Sequence, residues 1–236
     1  MGLVPQIDII NRIEKYLDQT LLKPEATPLQ IEKFCKEAVY YKFYSICVNP
    51  IYVKMAKKIL RSSGVRVTTV VGFPLGASKD SIKLKEAELA LKEGADELDM
   101  VMNIGMFKGQ NYDYVRDEIR KIKELCGRNV LKVILETSLL SVGELVTACE
   151  IAVEANADFV KTSTGFIGHG AKIDDVTLMK NTVKSRAKVK ASGGIRTLTD
   201  AINMIEAGAD RIGTSSGVNI VEEAIKLRSR NLSQSS

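Results

Sequence analysis

The 236-residue chain has no tryptophan, a single histidine (His169), and only four cysteines, Cys35, Cys47, Cys126 and Cys149, no two of them close together. A lone histidine and dispersed thiols argue against a zinc motif, a multi-histidine metal site and a disulfide framework. They suit a reducing compartment, so the cytoplasm is the expected location. No apolar run is long enough to span a bilayer, and residues 1–12 alternate polar and apolar without the apolar core of a signal peptide. No Gly-x-Gly-x-x-Gly fingerprint follows the first candidate strand, which weakens the runner-up architecture, an open doubly wound sheet. Basic blocks are missing too. The net charge of +5 is spread along the chain and interleaved with acids. Nucleic acid is therefore not an expected partner, whereas a phosphorylated metabolite fits a weak positive balance.

What is there is an alternation of strand and helix. Short β-branched runs bounded by Gly, Pro and Asn read as strands at residues 16–22, 45–48, 65–71, 97–102, 131–136, 158–163, 188–192 and 210–214. Helices are expected between them, with Thr27-Pro28, Ser78, Ser141 with Glu144, Asp174 or Asp175, and Thr197 with Asp200 as starts. In the first of these helices Leu29, Phe34, Ala38 and Tyr41 are expected to face inward. Ser216 opens the last, which runs to about Arg228. Glu-Gly-Ala-Asp at Glu93–Asp96 recurs as Glu-Ala-Gly-Ala-Asp at Glu206–Asp210, with Asn156 in the glycine place at Glu154–Asp158. One αβ turn used repeatedly accounts for this. Eight strands in such an order are the count a closed (β/α)8 TIM barrel needs. No low-complexity linker divides the chain, so residues 1–236 read as one domain with a frayed tail over 231–236.

Asp158–Gly165 reads Asp-Phe-Val-Lys-Thr-Ser-Thr-Gly, a buried strand with Lys161 in its middle. A lysine there is costly unless it is paired or uncharged. An uncharged amine attacks carbonyls and forms Schiff bases. A strand-end lysine that reaches water, or a structural ion pair, is the plainer reading. A second such strand, Lys188–Ser192, carries Lys190. Alternation points Asp18, Asp99, Lys132, Glu136, Lys161 and Lys190 into the barrel, a poor core and a plausible reactive centre. Lys132 with Asp18 or Glu136 is expected to be a structural pair. Lys190, taken to lie on a strand next but one to that of Lys161, would supply a cation that lowers the Lys161 pKa, and Asp99 could move a proton. Ser192-Gly193-Gly194 and Gly213-Thr214-Ser215-Ser216-Gly217 open helices, where backbone N–H groups favour an anion such as phosphate. The alternative is that these glycines serve tight turns only. His169 reads as a loop residue without a chemical role.

These segments together resemble the deoxyribose-phosphate aldolases, class I Schiff-base aldolases with a (β/α)8 barrel. The carrying stretches begin at Asp18 (DQTLLKP), Cys47 (CVNP), Val70 (VVGFPLG), Glu97 (ELDMV), Lys132 (KVILET), Phe159 (FVKTSTGF) and Val189 (VKASGGIR). The resemblance implies a Schiff-base lysine at Lys161, a second lysine at Lys190, a proton-relaying aspartate at Asp99, and phosphate loops at Gly165, Gly193, Gly194, Ser215 and Ser216. Asp18, Thr20, Cys47, Lys132, Thr162, Arg196 and Gly213 join these as expected substrate contacts. It further implies reversible cleavage of 2-deoxy-D-ribose 5-phosphate to glyceraldehyde 3-phosphate and acetaldehyde, no metal, no cofactor, and a homo-oligomer (dimer or tetramer). Gln19, Ser138 and His169 depart from the usual pattern, standing where His, Gly and a small residue are common. Two rivals are a different phosphosugar barrel enzyme and a phosphate-binding barrel without catalysis.

Overall fold

The computed structural model describes residues 6–234. Eight parallel strands close into a barrel in sequence order. They are β1 (Leu17–Leu21), β2 (Ser45–Val48), β3 (Arg66–Val71), β4 (Glu97–Val101), β5 (Val130–Ile134), β6 (Phe159–Lys161), β7 (Lys188–Ser192) and β8 (Arg211–Thr214). The helices are α1 (Gln6–Asn11), α2 (Pro28–Tyr40), α3 (Val53–Leu60), α4 (Asp80–Lys92), α5 (Ile104–Lys108), α6 (Tyr112–Cys126), α7 (Val142–Glu154), α8 (Ile173–Val183), α9 (Leu198–Glu206) and α10 (Gly217–Gln234). Thr27, Ser141 and Thr197 each close a capping box with the residue three further on.

The recurring αβ turn has a physical cause. Gly94 and Gly208 sit at φ +104° and +110°, and Asn156 takes the same left-handed region at +62°. The following aspartate then does the same work three times. Asp96 accepts the Val67 N–H and pairs with Lys57 at 2.5 Å. Asp158 accepts the Leu131 N–H and pairs with Lys123 at 2.6 Å. Asp210 accepts the Val189 N–H and pairs with Lys180 at 2.8 Å. A Cβ on Gly94 or Gly208 would lie within 2.8 or 2.6 Å of the Lys57 or Lys180 stem, so the glycines also clear the path of those lysines.

Several expectations are corrected. Leu29 is 77% exposed, and Ile31, Phe34, Cys35 and Ala38 form the buried face of α2. Ser78 does not cap α4, which starts at Asp80 with Lys79 before it. Asp174 and Asp175 lie inside the first turn of α8, where they suit the helix dipole, rather than ahead of it. The short helix α5, capped by Asn103, was not expected. Strand β5 ends at Ile134, and Glu136 takes a left-handed φ of +57°. Helix α10 ends at Gln234; residues 235–236 of the tail expected to fray, and residues 1–5, lie outside the described residues.

The core lies between barrel and helices. Outward residues such as Leu98, Met100, Leu131, Val133, Val160, Val189 and Ile212 join the buried helix faces in one apolar cluster. The inside of the barrel is different. Such interiors are usually filled by layers of Val, Ile and Leu; here Asp18, Ser45, Thr68, Glu97, Asp99, Lys132, Lys161, Lys190 and Arg211 occupy it, all buried.

Candidate active site

Each inward charge is placed by strand register. Asp99 stands opposite Lys132 across β4–β5, and Lys161 opposite Lys190 across β6–β7. The two lysines are thus on adjacent strands, not on strands one apart. Asp99 is their hub. Its Oδ2 accepts from Lys161 Nζ and Lys190 Nζ, each at 2.8 Å, and its Oδ1 accepts from Lys132 at 2.9 Å. Lys132 pairs also with Glu97 at 2.5 Å, so its partners are Glu97 and Asp99 rather than Asp18 or Glu136. Lys190 reaches Asp18 at 2.6 Å.

This arrangement sorts the protonation states. Burial works against the charged form of Lys161, Asp99 opposes that, and Lys190 adds to it; the net direction is downward. For Lys190 burial also works downward, but the Asp18 and Asp99 carboxylates outweigh it and hold this lysine above its ordinary range. Burial would raise Asp99, yet Lys132, Lys161 and Lys190 together hold it well below the usual carboxylate range. Asp18 is likewise lowered, by Arg211, Lys190 and Lys132 against burial. The result is one lysine biased toward a free amine beside one fixed as an ammonium.

Above Lys161 opens a cavity of about 320 Å³ at the C-terminal ends of the strands. Of the expected residues it is lined by Lys161, Thr20, Gly165, Gly193, Gly194, Arg196, Gly213 and Ser215. Among the described residues the backbone N–H groups of Gly193, Gly194 and Ser215 have no acceptor, which leaves them available to an anion. Gly193, at φ +88°, is packed so closely on Gly170 that a Cβ would lie 2.8 Å from that Cα. Gly213 clears space for Lys190, whose Cε would be 3.0 Å from a Cβ there.

The other expected contacts lie elsewhere. Thr162 is buried and ties β6 to β7, its hydroxyl donating to Ser192 O and accepting the Ser192 N–H. Ser216 has its N–H bound by Thr214 Oγ1. Asp18, Lys132 and Lys190 lie beneath the cavity floor, bonded to one another's partners. Cys47 joins Leu22, Val70 and Phe73 in a small apolar cluster, and burial pushes its thiol up to about 11. Of the three departures, Gln19 accepts the Gly217 N–H at 2.8 Å and so caps α10. Ser138 packs against Gly168, where a Cβ would come within 2.4 Å of its hydroxyl. His169 is exposed, with Nδ1 against Gly170 O.

Sequence reasoning missed Lys23 and Phe166 on the cavity wall and Arg211 below it. Lys23 and Phe166 sit in loops and carry no periodic signal, whereas Arg211 shares the inward face of β8 with Gly213 and could have been read. A second buried pair, Lys83 with Glu118 at 2.9 Å, holds the end of β4 through Val101 O and the Asn103 N–H. Among the described residues no cluster of three or more His, Cys, Asp and Glu side chains could hold a metal ion, and no helix is long and apolar enough to cross a membrane.

Residues 12–223 match the model of the DeoC/LacD family aldolases. The chain is 54% identical over 210 residues to a deoxyribose-phosphate aldolase of Finegoldia magna, covering 89% of this chain and 99% of that one. Among solved structures it is similar to an aldolase called QR15, with 49% identity, TM-score 0.88, and 91% and 96% of the two chains covered. It is also similar to the deoxyribose phosphate aldolase of Aeropyrum pernix, described as a unique tetramer, with 35% identity, TM-score 0.87, and 94% and 96% covered.

Proposed function

The chain belongs to the DeoC/LacD family of aldolases, and from that premise we propose that it cleaves 2-deoxy-D-ribose 5-phosphate reversibly to D-glyceraldehyde 3-phosphate and acetaldehyde through a Schiff base on Lys161. The observation that carries this is the position of Lys161: a 3%-exposed amine on the cavity floor, biased toward its uncharged form, hydrogen-bonded to the carboxylate that also holds Lys190.

The uncharged Lys161 amine adds to the C1 aldehyde of the open-chain sugar. Water leaves the carbinolamine with a proton from the Lys190–Asp99 pair, giving an iminium. The C3 hydroxyl then returns a proton to the Lys190–Asp99 pair, which gave one up in the dehydration; its O–H pair forms the new C=O at C3, the C2–C3 bond breaks, and that bond's pair forms C1=C2 while the iminium π pair settles on nitrogen. Glyceraldehyde 3-phosphate departs and an enamine remains. Protonation at C2 and hydrolysis release acetaldehyde and restore the amine. Lys190, kept charged by Asp18 and Asp99, helps keep Lys161 uncharged by repelling a second cation there.

The free N–H groups of Gly193, Gly194 and Ser215 suit the phosphate end of the substrate, with Arg196 on the same wall. Gly165 and Thr20 complete that wall toward β6 and β1. The relative from Aeropyrum pernix is a tetramer, which supports a homo-oligomer here. Breakdown of deoxyribose derivatives in the cytoplasm is the matching role. Incubation with the substrate should yield acetaldehyde and glyceraldehyde 3-phosphate in equal amounts, and absence of C2–C3 cleavage contradicts the proposal.

A further inference from the structure

At the closed end of the barrel, away from the cavity, Arg211 of β8 completes the buried ion-pair network. Its Nη2 bonds Asp18 Oδ1, Ser45 Oγ at 3.1 Å and Glu97 Oε2 at 3.4 Å. Its guanidinium lies 3.4 Å from the centre of the Tyr44 ring, and Arg66 stacks on the same ring at 4.3 Å. Tyr44 thus separates the network from the exposed Arg66 at the barrel's N-terminal face.

The network has a definite charge count. Its carboxylates are Asp18, Glu97 and Asp99; its cations, apart from Lys161, are Lys132, Lys190 and Arg211. Three negative charges meet three positive ones. Lys161, through Asp99 Oδ2, is the fourth cation and the only one that lines the cavity. In a buried network an unbalanced charge is costly, and the group nearest an exit for its proton relieves the imbalance. The remaining groups facing this interior are neutral or separately held. Ser45 and Thr68 are hydroxyls within the network. The Cys47 thiol is pushed up to about 11. Glu136, after β5, is raised by burial and hydrogen-bonded by the Thr164 hydroxyl and N–H; Lys161 acts on it only through space, without an ion pair, and burial outweighs that effect.

We infer that Arg211 is a positioning residue of the reaction: by neutralising Asp18 and Glu97 from the far end of the barrel, it leaves Lys161 as the surplus cation and so keeps its amine uncharged. This rests on the assignment of Lys161 as the Schiff-base residue. It reaches beyond that assignment because Arg211 touches neither the cavity nor Lys161.

The test is the pH dependence of borohydride trapping of acetaldehyde on Lys161, read by peptide mapping, in wild type, Arg211→Gln, Arg211→Lys and Glu97→Gln. Arg211→Gln removes a cation, so protonated Lys161 becomes tolerable and the half-maximum should rise by about one pH unit. Arg211→Lys keeps the charge, so its midpoint should stay with wild type even if folding is weakened. Glu97→Gln removes a carboxylate and should move the midpoint down. An unmoved midpoint in Arg211→Gln overturns the inference, as does an equal shift in Arg211→Lys. Should Arg211→Gln fail to fold, the Glu97→Gln midpoint decides, and no downward movement there overturns it. Failure of the parent assignment is separate, since wild type would then carry no adduct on Lys161.

Discussion

Lys161 and Lys190 donate to the same oxygen of Asp99, Oδ2, each at 2.8 Å, from directly paired positions on adjacent strands. Two amines held on one carboxylate oxygen are within two hydrogen-bond lengths of each other. Only one of them has a further carboxylate, Asp18 at 2.6 Å, to keep it charged. Under the proposed function this asymmetry makes Lys190 the ammonium and leaves Lys161 as the reacting amine.

Lys190→Met keeps side-chain length and removes that neighbouring charge. Lys161 is then freed from repulsion, and its trapping midpoint should rise. Two charges about 5 Å apart at an effective dielectric near 20 interact by roughly 3 kcal/mol, so a shift of one to two pH units is expected, Asp99 between them absorbing part of it. Turnover should fall as well, so the trapping profile is the deciding measurement. A midpoint that stays in place shows that burial alone governs the amine.

Asp99→Asn works in the opposite direction. Lys161 loses the carboxylate that favours its charged form, so trapping should reach its half-maximum at lower pH. Turnover should nevertheless drop about 100-fold or more, because proton transfer to and from the carbinolamine is lost. Three clustered lysines without their shared acceptor should also cost about 3–5 kcal/mol of stability, measurable by denaturant titration. Trapping and turnover falling together at every pH would contradict this division of roles.

Glu136 gives a pH dependence of stability. Burial raises its carboxyl above the ordinary glutamate range. Between the unfolded value and the raised folded one the native state binds more protons, so stability is higher at acid pH and declines as pH rises through that window. Glu136→Gln removes the titration while keeping an acceptor for the Thr164 hydroxyl. Thermal scans across pH should show the wild type losing midpoint relative to the variant as pH rises above about 4.5. Parallel curves for the two proteins would rule this out.

Ser215→Asp places a carboxylate beside the unbound N–H groups of the Gly193–Gly194 and Ser215 loops. KM for 2-deoxyribose 5-phosphate should rise at least tenfold, the effect of about 1.4 kcal/mol of repulsion, with little change for unphosphorylated 2-deoxyribose. Equal effects on the two sugars would place the phosphate elsewhere.

Much of this was legible in the chain. Alternation in a strand fixes which residues point inward, so Asp99, Lys132, Lys161 and Lys190 could be placed together without coordinates. The repeated Gly-Ala-Asp turn was readable because its first position takes a left-handed φ that Gly, or Asn at Asn156, adopts readily. Partnership was not legible. Whether Lys132 meets Asp18, Glu136 or Glu97 depends on the stagger of strands around the barrel, which no local pattern encodes. Helix α5 is five residues long and hides behind an asparagine cap directly after a strand. Arg211 was overlooked because its strand was read only for the glycine and serines that follow it. Leu29 was misplaced because the first turn of a capped helix can expose an apolar residue whose periodicity suggests burial.

The most direct measurement is the mass-spectrometric map of the protein after acetaldehyde and borohydride. The ethyl adduct should be found on Lys161, in the peptide spanning Phe159 to Gly165, and its yield should be lost in Lys161→Met while Lys132→Met, if folded, still carries it. An adduct on Lys190 or Lys132 in wild type, or no adduct at a pH where the enzyme turns over, would contradict the assignment.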